Sequence, residues 1–359
     1  MVSVTIHATT HDYDVVIGKD LRNKVTELID SDYTSILVIT DDKVETHYLN
    51  EVASSLKENF EVHTAIVPAG ESSKSMRMYE KVLDRCVEAR LDRQSLIIAL
   101  GGGMIGDLAG YVASTYLRGV DYIQMPTTIL AHDSSVGGKV AINHPNGKNL
   151  IGSFYNPTKV IYDIETIDTL PESEIRSGYG EVIKHAFLSD EGWSKTLLEV
   201  DIQRVTKEQL ETDLTRGIHV KASIVEQDER ETGLRKHLNL GHTLAHAIEA
   251  ELGYGEITHG EAVAIGLLFM MKLSEEVVGA ELPVKEFTEW LKKNNYPLSL
   301  LSTLDSEHMV ERMLWDKKTV GQEINFVLLK KISDACVLNV DKKEIVKQLN
   351  LLKAEVSGE

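Results

Sequence analysis

The sequence predicts an α/β amino-terminal domain with a Rossmann-like parallel sheet, followed by a mainly α-helical carboxy-terminal domain. Three observations predict this. Short apolar runs alternate with helical patterns as far as residue 170. Those runs are continuous in their apolar character, which marks strands buried on both faces. From Pro171 onward strand signals nearly stop, and helical periodicity dominates to the end of the 359 residues. The expected division is residues 1–170 and residues 171–359.

Taken in order, "MVSVTIHATTHDYDVVIG" (1–18) alternates apolar and polar residues as a strand does. "SILVIT" (35–40) ends at Asp41 and Asp42, and "VHTAIVPAG" (62–70) precedes a polar helix start. "SLIIAL" (95–100) runs into "GGGMIGDLAG", with a helical pattern following Gly106 and Asp107. "DYIQMP" (121–126) leads into "TTILAHDSSVGGK". Strands separated by helices in this way indicate a parallel sheet covered on both faces. "INFVLLKKI" (324–332) is the one late strand signal.

The formal charge is −18, and no Lys/Arg-rich run lies near either end. That argues against nucleic acid or an anionic membrane as the main partner. Hydrophobic residues make up 42% of the chain, enough for sizeable cores. The longest apolar run, Ala262 to Met271, is about half of the ~20 residues needed to span a bilayer. Cys86 and Cys336 form neither a disulfide framework nor a CxxC metal site, and the start of the chain lacks signal-peptide character. A cytoplasmic protein is expected.

Three stretches carry chemistry. In "SLIIALGGGMIGDLAGYVAS" a buried strand ends in three glycines before a helix. Such a turn lets a backbone approach a ligand, and a helix N-terminus offers free N–H groups to a phosphate. A dinucleotide pyrophosphate and a tight turn without ligand both fit. Asp41 and Asp42 read more simply as solvated loop residues than as ribose acceptors. The second stretch, "HDSSVGGKVAINHPNGKNLIGSF", sets Lys139, Lys148 and Asn149 beside glycines. Arg118 lies upstream, and Glu181 and Lys184 stand three apart on one helical face. Lys221, Arg235 and the Lys317–Lys318 pair follow. Gathered locally, such residues would bind phosphate or carboxylate.

The third is "RKHLNLGHTLAHAIEAELGYGEITHGEAVAIG" (235–266). On a single helix from 235 to 252, Leu240, Leu244, Ile248 and Leu252 form an i, i+4 stripe. Arg235, Asn239, His242 and His246 then fall within roughly 60° of one another on the other side. Two histidines at i, i+4 can bind one zinc ion, and His259 could reach back to it. Hydrogen-bonded interior histidines are the alternative.

With these residues in view, the chain resembles the 3-dehydroquinate synthase family over most of its length. The resemblance rests on "GGGMIGDLAG", "PTTILAHDSSVGGKVAINHPNGKN", "GYGEVIKHA", "LNLGHTLAHAIE", "THGEAVAIG" and the late "DKK", in that order. One loop, "TTILAHDSSVGGK", is a residue shorter than in some members. The resemblance implies zinc, with cobalt as an alternative ion, on Glu181, His242 and His259, and moves His246 to the substrate phosphate. It implies NAD along Asp41, Glu71, Lys74, Gly102, Gly103, Met104, Ile105, Gly106, Asp107, Thr127, Thr128, Asp133 and Lys139. Arg118, Lys139, Lys148, Asn149, Lys184, Lys221, Glu231, Arg235, Asn239, His246 and Lys317 or Lys318 would surround the substrate. Arg235 with Lys221 would meet its carboxylate.

The implied substrate is 3-deoxy-D-arabino-heptulosonate 7-phosphate, whose two anionic ends account for the basic residues. In the implied reaction the carbon-5 hydroxyl is oxidised by NAD beside zinc, and phosphate leaves from carbon 7 once carbon 6 is acidified. The ketone is then reduced again, and ring opening with aldol closure gives 3-dehydroquinate. A homodimer is a further implication. The other readings are a sister sugar-phosphate cyclase, a polyol dehydrogenase accumulating NADH, and a non-catalytic NAD- or zinc-binding protein.

Overall fold

The computed structural model describes residues 1–253, 255–316 and 323–357. The chain divides into two compact units, Met1–Leu170 with Thr206–Arg230, and Pro171–Val205 with Glu231–Glu359. The segment 206–230 thus groups with the first unit, although it lies well beyond residue 170.

The strands of the first unit are β1 (Val2–His7), β2 (Asp12–Gly18), β3 (Ser35–Asp41), β4 (Glu61–Val67), β5 (Leu96–Gly101), β6 (Asp121–Pro126), β7 (Lys139–His144), β8 (Gly147–Phe154) and β9 (Lys159–Asp163). Seven of them form one sheet in the order β1-β2-β9-β6-β5-β3-β4. Only the β1–β2 pair in it is antiparallel. The second unit holds β10 (Glu323–Lys331) and β11 (Asp334–Asp341). The helices that bear on the site are α1 (Met76–Glu88), α2 (Gly103–Thr115), α3 (Glu172–Ser189), α4 (Lys207–Val225), α5 (His242–Leu252) and α6 (His259–Val278).

The continuous apolar runs have a direct cause. Leu37, Ile39, Ile97 and Ala99 pack with Leu108 and Val112 of α2 on one face of the sheet. Their alternates Ile36, Val38, Leu96 and Ile98 pack with Val52 and Leu56 on the other. With both faces covered, every position of a central strand must be apolar. On the α2 side, Gly110 lets the helix sit against the β7–β8 hairpin, since a Cβ there would lie 2.4 Å from Val140 Cγ1. Helix α4 packs on β1 and β2, which draws residues 206–230 into this unit.

Several elements differ from the sequence expectation. The first 18 residues form two strands around a turn. Helix α2 already begins at Gly103, so Gly106 and Asp107 lie inside it. The strands β8 and β11 gave no signal because many of their side chains face solvent, so no long apolar run marks them. Both cysteines are free.

The second unit is organised by α6, which is buried along most of its length. Its start is set by a capping box, in which Glu261 accepts the backbone N–H of Thr258 at 3.1 Å and its hydroxyl at 2.8 Å. Arg176 of α3 donates to the other Glu261 oxygen at 2.7 Å. Glycines then bring backbones together. A Cβ on Gly260 would lie 1.7 Å from the Ser177 carbonyl oxygen, and one on Gly180 would lie 2.1 Å from the Gly260 carbonyl oxygen. Farther along α6, a Cβ on Gly266 would lie 2.0 Å from the Gly241 carbonyl oxygen.

Gly241 also overturns the single helix expected over 235–252. It adopts φ 80°, a left-handed conformation, between a 3-10 segment at Leu234–Asn239 and α5. That break tucks its backbone against Val263 and Leu267 of α6. Arg235 and Asn239 therefore do not share a helix face with His242 and His246. The stripe survives in part: Leu240, Leu244 and Ile248 are buried.

Gly260→Ala should lower stability by about 3 kcal/mol or more, because the obstructing atoms are backbone. Gly192→Ala, on an exposed helix position, should change it by less than ~1 kcal/mol. Urea unfolding of the two variants beside the parent checks this; equal midpoints for all three would contradict the close approach.

Candidate active site

The carboxyl ends of β3, β5 and β6 and the first turn of α2 form one corner of the first unit. Gly102 caps α2 without a side-chain hydrogen bond, leaving N–H groups of the first turn for a ligand. A Cβ on Gly103 would lie 2.9 Å from Ser134 Oγ, and one on Gly102 would lie 3.1 Å from Thr128 Cγ2. The hydroxyls of Thr127, Ser134 and Ser135 are buried with no hydrogen-bond partner among the described residues. An unsatisfied buried hydroxyl costs ~1–3 kcal/mol, so several beside a glycine turn fit a bound phosphate-bearing ligand. A dinucleotide fits this corner. Asp41 Oδ1 accepts the backbone N–H groups of Lys43 and Val44 at 3.0 Å each, so it closes its own turn.

Beside this corner lies a polar network around one buried lysine. Lys74, 4% exposed, donates to Asp107 Oδ2 at 2.5 Å and to Asn149 Oδ1 at 2.6 Å. Burial works against the charge on Lys74, but Asp107 and Glu71 outweigh it and keep the amine protonated. Asn143 joins in by donating to Glu71 Oε1 at 2.8 Å and accepting the Asn149 N–H at 2.9 Å. Asn149 takes φ 54°, a strained conformation that this network holds. Lys139 and Lys148 lie on the same hairpin, and Met104 and Ile105 on the first turn of α2. Lys221 of α4 pairs with Asp133 Oδ2 at 2.9 Å, an ionic partner the sequence did not indicate. Arg118 is exposed at φ 72°.

In the second unit three side chains converge. Glu181 Oε1 lies 3.4 Å from His242 Nε2 and 3.4 Å from His259 Nε2. A zinc ion with bonds of ~2.1 Å would hold tetrahedral donors ~3.4 Å apart. One carboxylate and two imidazoles at that spacing fit a divalent metal of this kind. His242 Nδ1 donates to the Leu240 carbonyl at 3.2 Å, and His259 Nδ1 donates to Glu249 Oε2 at 3.1 Å. Both rings thus turn Nε2 toward Glu181.

The charges around this point agree with the donor set. Burial would raise the Glu181 carboxyl, but Lys184, whose Nζ lies 2.5 Å from Oε2, and His242 hold it well below the usual range. Burial pulls His242 down to about 4. It opposes a charge on His259 as well, yet hydrogen bonds to Glu181 and Glu249 push that ring up to about 10. A proton on His259 thus supplies one positive charge.

His246 stands beside the group, its ring centroid 5.6 Å from His242 and 6.0 Å from His259. The i, i+4 histidine pair is therefore close in space, while the Glu181, His242 and His259 convergence takes its carboxylate from α3. Arg235 is buried, and Asn239 donates to Glu231 Oε1 at 2.7 Å, with Glu231 at φ 59°. Lys317 and Lys318 lie outside the described residues. Sequence reasoning missed Arg176, Glu249 and Glu261. "THGE" carries the capping-box spacing that would have found Glu261, whereas nothing local marks Arg176.

The fold is one shared with solved cyclases and, less closely, with solved dehydrogenases. A 2-deoxy-scyllo-inosose synthase complexed with carbaglucose-6-phosphate, NAD+ and Co2+ matches with TM-score 0.89, 24% identity, and coverage of 97% of this chain and 99% of that one. The 2-epi-5-epi-valiolone synthase of Streptomyces hygroscopicus subsp. jinggangensis 5008, with NAD+ and Zn2+ bound, matches with TM-score 0.84, 24% identity and 99% coverage of both chains. By sequence the chain belongs to the 3-dehydroquinate synthase family. The family's N-terminal model matches residues 64–177 and its C-terminal model residues 178–319. The 3-dehydroquinate synthase of Bacillus pumilus (strain SAFR-032) is 46% identical over 359 residues, 99% of each chain.

Lys74→Met would leave the part-buried Asp107 without its cation, at a cost of about 1–3 kcal/mol. Combining it with Asp107→Asn should cost clearly less than the sum of the two single changes. A denaturation double-mutant cycle reads this coupling, and strict additivity would refute it.

Proposed function

We propose that the chain converts 3-deoxy-D-arabino-heptulosonate 7-phosphate to 3-dehydroquinate and phosphate, as an NAD-dependent lyase-type cyclase of the shikimate pathway. The observation that carries this reading is 46% identity with a curated 3-dehydroquinate synthase over 99% of both chains. The family membership also supports a cytoplasmic homodimer. No described helix is long and apolar enough to cross a membrane.

When bound, NAD supplies a hydride acceptor that is restored within the turnover, and zinc or cobalt supplies a Lewis acid. The chain's own residues do the rest. The glycine turn before α2, with Thr127, Ser134 and Ser135, takes the dinucleotide phosphates. Glu181, His242 and His259 present three metal donors, the number that keeps a coordination position for substrate in catalytic sites. Lys184 balances the Glu181 carboxylate so that its charge can stay buried. Arg235 takes the substrate carboxylate, whose two oxygens match a planar guanidinium. Lys139 and Lys148 meet the phosphate, whose own oxygens accept the carbon-6 proton.

Product analysis tests the reaction. Incubation with the heptulosonate phosphate, NAD and zinc should give equal amounts of phosphate and 3-dehydroquinate without net NADH. A different cyclic product would replace the substrate, and net NADH would point to a polyol dehydrogenase. His242→Ala should lose zinc and turnover together, whereas Arg235→Ala should keep zinc and raise KM at least about tenfold.

Metal uptake has a defined pH dependence. Between about 4, where His242 titrates, and about 10, where His259 does, the metal-free triad holds one proton, on His259. An entering cation expels it, so apparent affinity should rise about tenfold per pH unit across that window. Calorimetry in buffers of differing ionisation heat should read about one proton released per ion. Zero release would show that His259 is already neutral in the metal-free site.

A further inference from the structure

We propose that Glu249 is a positioning residue for the metal centre, orienting His259 and strengthening it as a ligand. The inference rests on the reading of Glu181, His242 and His259 as metal donors. The capping box at Thr258 and Glu261, with Arg176, places the backbone of His259. None of these contacts orients its ring. Glu249 makes that contact, accepting from Nδ1 at 3.1 Å.

The arrangement is more than a chance neighbour. Glu249 is 5% exposed, and a carboxylate is buried that far only against a specific partner. It follows His242 by seven residues on α5, about 20° round the helix, so one face carries a ligand and the support for another. The two imidazoles are supported unequally. His242 Nδ1 meets a neutral backbone carbonyl, while His259 Nδ1 meets a carboxylate. A carboxylate on the far nitrogen makes Nε2 the more basic donor and holds the lone pair toward the metal. Without it the ring can turn over or carry its proton on Nε2, and the site loses a donor.

One rival geometry is on hand. His246, Glu249 and His259 also place ligand atoms within 4.8 Å of one another, so Glu249 could instead be a ligand to a second cation. Counting ions separates the two.

The experiment is zinc titration against a competing chelator for the parent, Glu249→Gln and Glu249→Ala, with absorption spectra of the cobalt-loaded forms and NAD binding as the fold control. One ion per chain is expected in all three, with zinc affinity lower by about 10–100-fold in Glu249→Ala. Glu249→Gln keeps an acceptor without the charge and should fall between them. The cobalt bands should shift in both variants while NAD affinity stays that of the parent. If either folded variant keeps parental zinc affinity and an unshifted cobalt spectrum, Glu249 is merely structural and the proposal falls, even if the protein unfolds more easily. Two ions per parent chain dropping to one would also overturn it, making Glu249 a ligand. A parent that binds no ion overturns the metal reading itself, an outcome distinct from either.

Discussion

The contact on which the second unit depends is the backbone approach that glycines allow around α6. Gly180 and Gly260 meet where α3 crosses α6, and Gly241 and Gly266 meet where the chain enters α5. Each of the three converging donors adjoins one of these glycines: Glu181 follows Gly180, His242 follows Gly241, and His259 precedes Gly260. Donor spacing is thereby set by carbonyl-to-Cα packing, which cannot relax as side chains do. A site meant to hold one geometry is best built on elements whose separation is this rigid.

Charge is handled in the same spirit in both units. Buried charges are matched within the chain, Lys74 by Asp107 and Lys184 by Glu181, at ion-pair distances of 2.5 Å each. What remains incomplete is informative. In the first unit it is a set of buried hydroxyls without partners beside a glycine turn. In the second it is a carboxylate and two imidazoles turned toward one point, where a proton on His259 stands in the place a cation would take. Both are places that a phosphate-bearing group and a divalent cation would fit.

Much of the fold was legible because covering both faces of a sheet forces continuous apolar strands. β3, β5 and β6 could be found that way, while β8 and β11, with much of their side-chain surface in solvent, could not. The site was legible in composition more than in geometry. Spacing paired His242 with His246, since four residues along a helix are neighbours. It could not supply Glu181, some sixty residues earlier in the chain. The resemblance to a known family did so.

The sequence by itself determined the fold class, the glycine turn at the end of a buried strand, and the list of residues able to hold metal and anions. These follow from local rules, the period of apolar residues and the chemistry of each side chain. Tertiary structure alone decided that Gly241 breaks the helix before His242, that Lys74 spans Asp107 and Asn149, and that Glu249 stands behind His259. Each depends on which backbones come close, and that is settled only when the core of each unit is packed.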